Sequence, residues 1–165
     1  MKQAEPSLEF SRPLDVARVP RLGSFEKLSA DSRECQDLAK RLKIPVIHHL
    51  SAELKAKPWR GGGLKVTGQV QLDLEQVSVV SLEHFRQNLR FEVERFFLHN
   101  VPQDATDDED IDPIANGFID LGEVVAETIA LDLDLYPRKP GEAFGEQEIE
   151  PIKSPNPFAA LKIVK

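Results

Sequence analysis

The sequence predicts an α+β fold in which an antiparallel β-meander packs against two or three short helices. Two observations carry this prediction. Three successive segments between His48 and Phe97 alternate apolar and polar residues, as strands with one buried face do. Two other segments space their apolar residues at helical intervals, and each begins with a capping residue. The pattern leaves open whether the sheet stays open or closes toward a barrel.

The first predicted elements are a strand and a helix. Residues 8–16 alternate apolar and polar positions, but Pro13 has no amide hydrogen to donate, so they predict an edge strand or two short strand pieces. A helix is predicted to begin at Asp31, an N-cap with Glu34 three residues later, and to end before Pro45. Its inward stripe consists of Cys35, Leu38, Ala39 and Leu42.

The predicted meander comes next. Its first strand starts at His48 and its second at Leu64, and the segment from Pro58 to Gly63 predicts the turn between them. A polar turn is predicted around residues 86–88, before the third strand. A slip of one residue would expose the apolar side chains of a strand, so the register is strongly specified. The inward residues of the three strands are Leu50, Ala52, Leu54 and Ala56; Leu64, Val66, Gly68, Val70, Leu72 and Leu74; and Leu89, Phe91, Val93 and Phe97.

Residues 102–118 lose this periodicity and are acidic, which predicts a long surface loop that is mobile or ordered by a partner. A second helix is predicted from Asp120, an N-cap with Glu123 three residues later, to the Tyr136-Pro137 pair. The proline-rich residues 137–165 predict an extended tail, in which only the segment from Pro157 to Lys165 permits a short helix. The inward stripe of the second helix consists of Leu121, Val124, Val125, Thr128 and Ile129.

The composition predicts one domain spanning residues 1–165. The chain is 41% hydrophobic and 30% charged, as globular proteins are, and its length suffices for one core. No apolar run approaches the roughly 18 residues that a bilayer requires, and the amino end lacks an apolar signal segment. Cytoplasmic residence is therefore expected, with no membrane partner. The oligomeric state is not encoded in any pattern that we recognise.

Charge is distributed unevenly along the chain, whose formal net charge is -7. Residues 1–60 contain twelve Lys or Arg and eight Asp or Glu, whereas residues 96–137 contain no Lys or Arg and eleven Asp or Glu. This predicts an acidic flank and a mildly basic one, a polarity that orients encounters with charged partners. The acidic flank would repel bare RNA.

Two surface regions are candidate binding sites. The acidic loop is predicted to bind a basic partner protein, through Asp104, Asp107, Asp108, Glu109, Asp110 and Asp112. A basic and aromatic patch is the candidate RNA contact, in which the indole ring would stack on a base. Its residues are Lys40, Arg41, Lys43, Lys55, Lys57, Trp59 and Arg60. Dispersed surface charge explains the same basic residues almost as well.

No pattern points to catalysis, a metal or a cofactor. The four histidines lack metal-ligand spacing, and the acidic run has Pro113 where an EF-hand loop needs glycine. The glycines at 61–63 precede a strand rather than a helix, which predicts a turn instead of a phosphate-binding loop. Cys35 is expected to be a buried thiol. The sequence therefore favours a non-enzymatic protein, and a metal-binding protein or an enzyme is the least favoured interpretation.

Three sets of residues resemble one bacterial family. They are the residues that open the second helix, Ile119 to Glu123, the acidic loop before them, and the terminal segment Asn156 to Leu161. In this order they are similar to the YceD family of large ribosomal RNA subunit accumulation proteins. Many members of that family carry a Cys-x-x-Cys pair where this chain has Ser78 and Ser81. A metal or redox role of those cysteines therefore does not transfer to this chain.

The resemblance implies a role in the synthesis, processing or stability of 23S ribosomal RNA. The leading hypothesis is a non-enzymatic accessory factor in large ribosomal subunit biogenesis, whose acidic loop binds a ribosomal protein or an rRNA-processing factor. The alternative is a direct RNA-binding module that uses the basic and aromatic patch on large-subunit rRNA. The salt dependence of RNA binding discriminates between the two hypotheses.

Overall fold

The computed structural model describes residues 8–103 and 110–142, which fold as a mixed α+β unit. Seven strands and two α-helices occur in this part of the chain. The strands are β1 (Pro13–Asp15), β2 (Ser24–Ser29), β3 (Val46–Trp59), β4 (Gly63–Val77), β5 (His84–Leu98), β6 (Ile111–Pro113) and β7 (Phe118–Asp120). The helices are α1 (Ser32–Leu42) and α2 (Leu121–Asp132). No helix among the described residues is long and apolar enough to span a bilayer.

Five strands form the main sheet, in the order β2-β3-β4-β5-β6. The meander predicted for β3, β4 and β5 is confirmed, because all its pairings are antiparallel, and only β6 pairs parallel to its neighbour. The sheet, whose closure the sequence leaves open, does not close into a barrel. Closure requires the two edge strands to pair. Here the edges are β2 and the three-residue β6, which do not pair with each other, while β1 and β7 form a separate two-stranded sheet.

The inner face of the main sheet carries the core. The alternation predicted for the three long strands is confirmed, since Leu50 on β3, Leu72 on β4 and Val93 on β5 are all buried. These residues share one apolar cluster with Leu38 of α1 and Ile129 of α2. Both helices therefore cover the same face of the sheet. The opposite face, called the outer face below, has no helix of the described chain packed on it.

Helix α1 begins and ends as its sequence predicts. The Asp31 carboxylate accepts a hydrogen bond from the Glu34 amide, and the Glu34 carboxylate accepts one from the Asp31 amide, which completes a capping box. Lys43 ends the helix in the left-handed conformation, with a φ of 56°. Its buried residues Cys35, Leu38 and Ala39 belong to the predicted stripe.

Helix α2 begins as predicted and ends earlier. Asp120 caps it by accepting hydrogen bonds from the amides of Gly122 and Glu123, and the whole predicted inward stripe is buried. Glu123 does not complete a capping box, because its carboxylate binds Arg41 on α1. The helix ends at Asp132, since Leu133 is already extended, and not at the Tyr136-Pro137 pair.

Two loop predictions are corrected by the strands. The polar turn expected at residues 86–88 lies inside β5, and the chain turns at 78–83 instead, where Ser78 accepts a hydrogen bond from Leu82. The predicted loop 102–118 contains β6 and the start of β7. Strand β6 pairs with β5, and the amide of Ile114 next to it donates a hydrogen bond to the carbonyl oxygen of Leu98. The acidic positions 104–109 lie outside the described residues.

The two ends of the described chain agree with their predictions only in part. The broken strand predicted at residues 8–16 is the short β1, whose partner is β7. Residues 137–142 of the predicted tail contain no helix or strand, and the hydroxyl of Ser78 donates a hydrogen bond to Glu142 there. The helix considered at 157–165 lies outside the described residues.

Candidate functional site

Basic and aromatic side chains collect on the outer face, at the end of the sheet that holds the β3-β4 hairpin. In one row across the strands Phe25 of β2 lies opposite Lys55 of β3. In the next row Lys65 of β4 lies between Lys57 of β3 and Phe96 of β5. Directly opposed residues of neighbouring strands share a face, so these side chains lie together. With two residues from the hairpin they form the outer-face cluster, which consists of Phe25, Lys55, Lys57, Trp59, Arg60, Lys65 and Phe96.

The aromatic members of the cluster are poorly covered. The Phe25 side chain is 76% exposed, more than any other large apolar residue of the described strands. Trp59 and Phe96 are half-buried, and their ring centroids lie 4.8 Å apart with the planes tilted by 47°. The rings thus form a partly apolar, solvent-accessible surface that extends from β2 and β3 across β4 to β5.

A cation lies over each of these rings. The Lys55 Nζ atom is 4.7 Å from the centroid of Phe25, the Arg60 guanidinium is 4.4 Å from Trp59, and the Lys65 Nζ atom is 5.1 Å from Phe96. Such cation-π contacts contribute roughly 0.5–1 kcal/mol at exposed sites. They hold the charges beside the rings, so that positive and aromatic surfaces alternate across the cluster.

The hairpin that carries Trp59 and Arg60 is shaped by its glycines. Gly61 and Gly62 have φ values of 66° and 73°, a left-handed conformation that residues with a Cβ atom rarely adopt. A Cβ atom on Gly63 would lie 2.1 Å from the carbonyl oxygen of Phe97, so only glycine fits there. The three glycines therefore build a tight turn into β4, as the sequence predicts.

The predicted basic patch divides into two groups. Lys55, Lys57, Trp59 and Arg60 come together in the outer-face cluster. Lys40, Arg41 and Lys43 lie at the end of α1, which packs on the inner face, so the sheet separates them from the cluster.

The α1 group is largely engaged within the fold. The Arg41 guanidinium donates two hydrogen bonds to Glu123, at 2.9 and 2.6 Å, and one to Glu9 at 3.3 Å. The bonds to Glu123 raise the pKa of Arg41. Lys40 lies 3.8 Å from Asp37 on the same helix. Arg41 therefore joins α1 to α2 and to the amino-terminal segment.

Three cluster residues were not among the sequence candidates. Lys65 and Phe96 carry a signal, because each occupies an outward position in a strand whose inward residues alternate clearly. The sequence gives no signal for Phe25. Its position opposite Lys55 depends on the pairing of β2 with β3, and the sequence does not predict β2.

The acidic candidates are described only in part. Asp104, Asp107, Asp108 and Glu109 lie outside the described residues, and Asp110 is exposed. Asp112 accepts a hydrogen bond from the Arg95 Nε atom at 2.9 Å, so its carboxylate already has an intramolecular partner.

Arg95 also donates to Glu127 of α2 at 2.9 Å. The side chain of Arg95 is 16% exposed, and it links the end of the acidic segment to β5 and α2. This ion-pair network fixes the chain where it returns from the acidic positions to the sheet.

The remaining chemical candidates are placed in structural positions. Cys35 is 4% exposed, and burial raises the pKa of its thiol, which makes it a poor nucleophile. His48 contacts Glu75 at 2.9 Å across the sheet. Within residues 8–103 and 110–142, no three His, Cys, Asp or Glu side chains are grouped closely enough to hold a metal ion.

Comparison with known protein families gives a match that covers more than half of the chain. The family model described as large ribosomal RNA subunit accumulation protein YceD matches residues 66–165. The chain belongs to this family. Neither the curated proteins nor the solved structures contain a match to the chain.

The match and the outer-face cluster overlap only slightly. The matched range begins at Val66 and includes Phe96, whereas Lys65 and the cluster residues of β2, β3 and the hairpin precede it. The family name connects the chain with accumulation of large-subunit ribosomal RNA. Most residues of the cluster therefore lie outside the range that the family model matches.

Proposed function

We propose that the protein is a non-enzymatic accessory factor in large ribosomal subunit biogenesis, which supports the synthesis, processing or stability of 23S ribosomal RNA by binding RNA directly. The family membership supports the biological role. The outer-face cluster supports the direct contact, because exposed aromatic rings interleaved with cations are the chemistry that RNA-binding surfaces use. The observation that carries the proposal is the exposed ring of Phe25 beside Lys55.

Charge around the cluster favours an anionic ligand locally, although the chain as a whole is acidic. The cluster contains four cations, and within its strand rows Glu94 lies 3.5 Å from Lys65 and is 62% exposed. Lys55 and Lys57 form no ion pair with any residue of the described chain. RNA would approach this end of the outer face and avoid the acidic flank.

The acidic loop remains a second candidate site, for a basic ribosomal protein or processing factor. Before the loop the chain passes His99, which lies close to Gly62. A Cβ atom added to Gly62 would lie 3.8 Å from the His99 ring. The described chain before the loop therefore passes beside the hairpin of the cluster. In this proposal the factor brings a basic protein and RNA together.

The test of direct RNA binding compares two charge-matched double variants. Lys55→Gln with Lys57→Gln removes two cluster charges, and Lys40→Gln with Lys43→Gln removes two charges on α1. Each protein is titrated with fragments of large-subunit ribosomal RNA across a range of salt concentrations. The cluster variant should lower the slope of log affinity against log salt by roughly 0.7 per lost phosphate contact on a single strand. The α1 variant should retain the slope of the unaltered protein.

Equal slopes for the two variants would contradict direct binding through the cluster. The acidic loop is tested separately, by replacing Asp107, Asp108 and Asp110 with Asn and Glu109 with Gln. This variant should associate less with preribosomal particles while its unfolding transition is unchanged. Unchanged co-sedimentation would remove the loop from the proposal.

A further inference from the structure

We infer that the outer-face cluster binds single-stranded RNA, with bases stacked on Phe25, Trp59 and Phe96, and discriminates against an RNA duplex. This inference rests on the proposed function, since it names the form of RNA that the same surface binds. It follows from three properties of the cluster: the exposed ring of Phe25, the spacing of the rings, and the cations beside them.

The Phe25 ring adds no buried surface to the core, and its recorded ring contact is the one with Lys55. The residue lies on the edge strand β2, and its side chain is 76% exposed while its backbone is paired with Lys55. Any residue of high β-propensity would serve the strand equally well. A solvent-facing phenyl ring is useful when another flat, apolar group stacks on it, as an unpaired base does.

The spacing of the rings suits a strand that crosses the face. Trp59 and Phe96 are in contact, whereas Lys55, the neighbour of Phe25, is four residues before Trp59 on β3. At about 3.3 Å per residue this separates the two aromatic positions by roughly 13 Å. One base cannot stack on both, so successive bases of an extended chain would occupy them.

The cations are placed to meet the backbone of such a strand. Lys55, Arg60 and Lys65 each lie over a ring, and Lys57 lies opposite Lys65, two residues after Lys55 on β3. A base that stacks beside a cation brings its phosphate close to that cation. Guanidinium groups also stack on bases, which gives Arg60 a second mode of contact.

A duplex cannot use the rings. In A-form RNA the bases are stacked on one another inside the helix, and proteins read it through phosphates and 2′-hydroxyls. The faces of its bases are inaccessible to side chains that stand on an open sheet. A duplex would therefore gain only the phosphate contacts of the cluster.

Trp59 provides a direct readout, because it is the only tryptophan of the chain. The full chain is titrated with a short labelled single-stranded RNA of mixed sequence and, separately, with the same strand annealed to its complement. Anisotropy of the label gives the affinity, and Trp59 emission reports stacking. We expect single-stranded RNA to quench the emission and to bind at least about tenfold more tightly than the duplex.

A matched pair of phenylalanine variants locates the effect. Phe25→Ser should weaken binding of the single strand about tenfold and leave the duplex affinity unchanged, because one stacking partner is lost. Phe118→Ser alters a half-exposed phenylalanine of β7, outside the cluster, and should leave both affinities unchanged. Circular dichroism verifies that both variants fold.

The outcomes separate this inference from the proposed function. Equal affinity for the two RNA forms, with unchanged Trp59 emission, would overturn stacking while direct RNA binding stands. An equal loss of single-strand affinity in both phenylalanine variants would also overturn it. Failure of the unaltered chain to bind either RNA would overturn stacking together with the direct contact proposed above.

Discussion

The arginines that link secondary-structure elements and the lysines of the outer-face cluster carry the same charge in different surroundings. Arg12 and Arg95 contact carboxylates from other elements, at distances of 2.7 to 2.9 Å for Arg12 and its partner Glu34. Lys55 and Lys57 have no such partner in the described chain, and Lys55 lies over an aromatic ring instead. The comparison teaches that positive charge is most available to a ligand where the fold gives it no carboxylate partner, as at Lys55 and Lys57.

The chemistry of the two side chains explains this division. A guanidinium group is a planar fork whose donors match the two oxygens of a carboxylate, and both NH groups of Arg12 bind Glu34 in this way. An ammonium group is strongly hydrated and sits on a flexible stem, so it loses less when it stays in water. Arginine therefore suits fixed internal contacts, and lysine suits a surface that awaits a ligand.

The largest expected effect is at Arg95. Arg95→Met should lower the free energy of unfolding by about 2 kcal/mol, because it leaves the carboxylates of Asp112 and Glu127 close together without a partially buried cation. Urea unfolding followed by circular dichroism measures the change. The control is Lys27→Met, which removes the ion pair between Lys27 and Glu53. The Lys27 side chain is 84% exposed and the Glu53 side chain is 77% exposed. Equal losses in both variants would contradict the distinction between paired arginines and surface lysines.

A smaller effect is expected from Arg12→Lys. The substitution keeps the charge but loses the forked contact with Glu34 and the hydrogen bond to Ser29, so unfolding should cost about 1 kcal/mol less. Arg18→Lys is the matched control, since Arg18 is 87% exposed beside Asp15. If Arg12→Lys unfolds at the same urea concentration as the unaltered protein, the forked geometry contributes nothing.

The Arg12 contact also predicts a pH dependence. Its hydrogen bond with Glu34 lowers the pKa of that carboxyl in the folded chain. Because the pKa of Glu34 is lower in the folded chain than in the unfolded chain, the ionised carboxylate stabilises the fold at any pH above its unfolded pKa. This contribution is lost as the pH falls through its folded pKa. The difference in unfolding free energy between the unaltered protein and Glu34→Gln should therefore be full at neutral pH and shrink below about pH 4. If the difference in unfolding free energy between the two proteins stays constant down to pH 2, ionised Glu34 does not stabilise the fold through Arg12.

The smallest effect on stability is expected in the outer-face cluster. Lys55→Gln with Lys57→Gln should change the free energy of unfolding by less than about 0.5 kcal/mol, because neither side chain holds elements together. Thermal or urea unfolding measures it. A decrease in the free energy of unfolding as large as that of Arg95→Met would show that these lysines stabilise the fold. A reduced RNA affinity of the same variant would then no longer indicate a lost RNA contact.

Much of the fold follows from local patterns in the sequence. The capping box of α1, the inward residues of the long strands and the start of α2 depend on residues a few positions apart, and the structure contains all of them. The short strands behave differently. β6 and β7 have three residues each, too few for an alternation, and they exist because a distant strand offers hydrogen-bond partners.

The candidate site was predictable to a similar extent. Lys55, Lys57, Trp59 and Arg60 are close in sequence, so their proximity follows from one hairpin. Phe25 joins them through the register of β2 on β3, and the sequence offers no signal for that register. The charges of α1 could not be separated from the cluster without knowing which face the helix covers, because the sequence shows only that both groups are basic.

The short β6 has a consequence for encounters between copies of this chain. It covers β5 only from Phe96 to Leu98, and within the described chain no strand pairs with the rest of that edge. Exposed backbone of this kind invites another sheet to add itself in an unwanted, repeating stack. Along β5 the outward positions include the charged residues Arg86, Arg90, Glu92 and Glu94. A second sheet that paired there would have to dehydrate these charged side chains. This cost keeps the unpaired edge of β5 in contact with solvent and disfavours the growth of fibres.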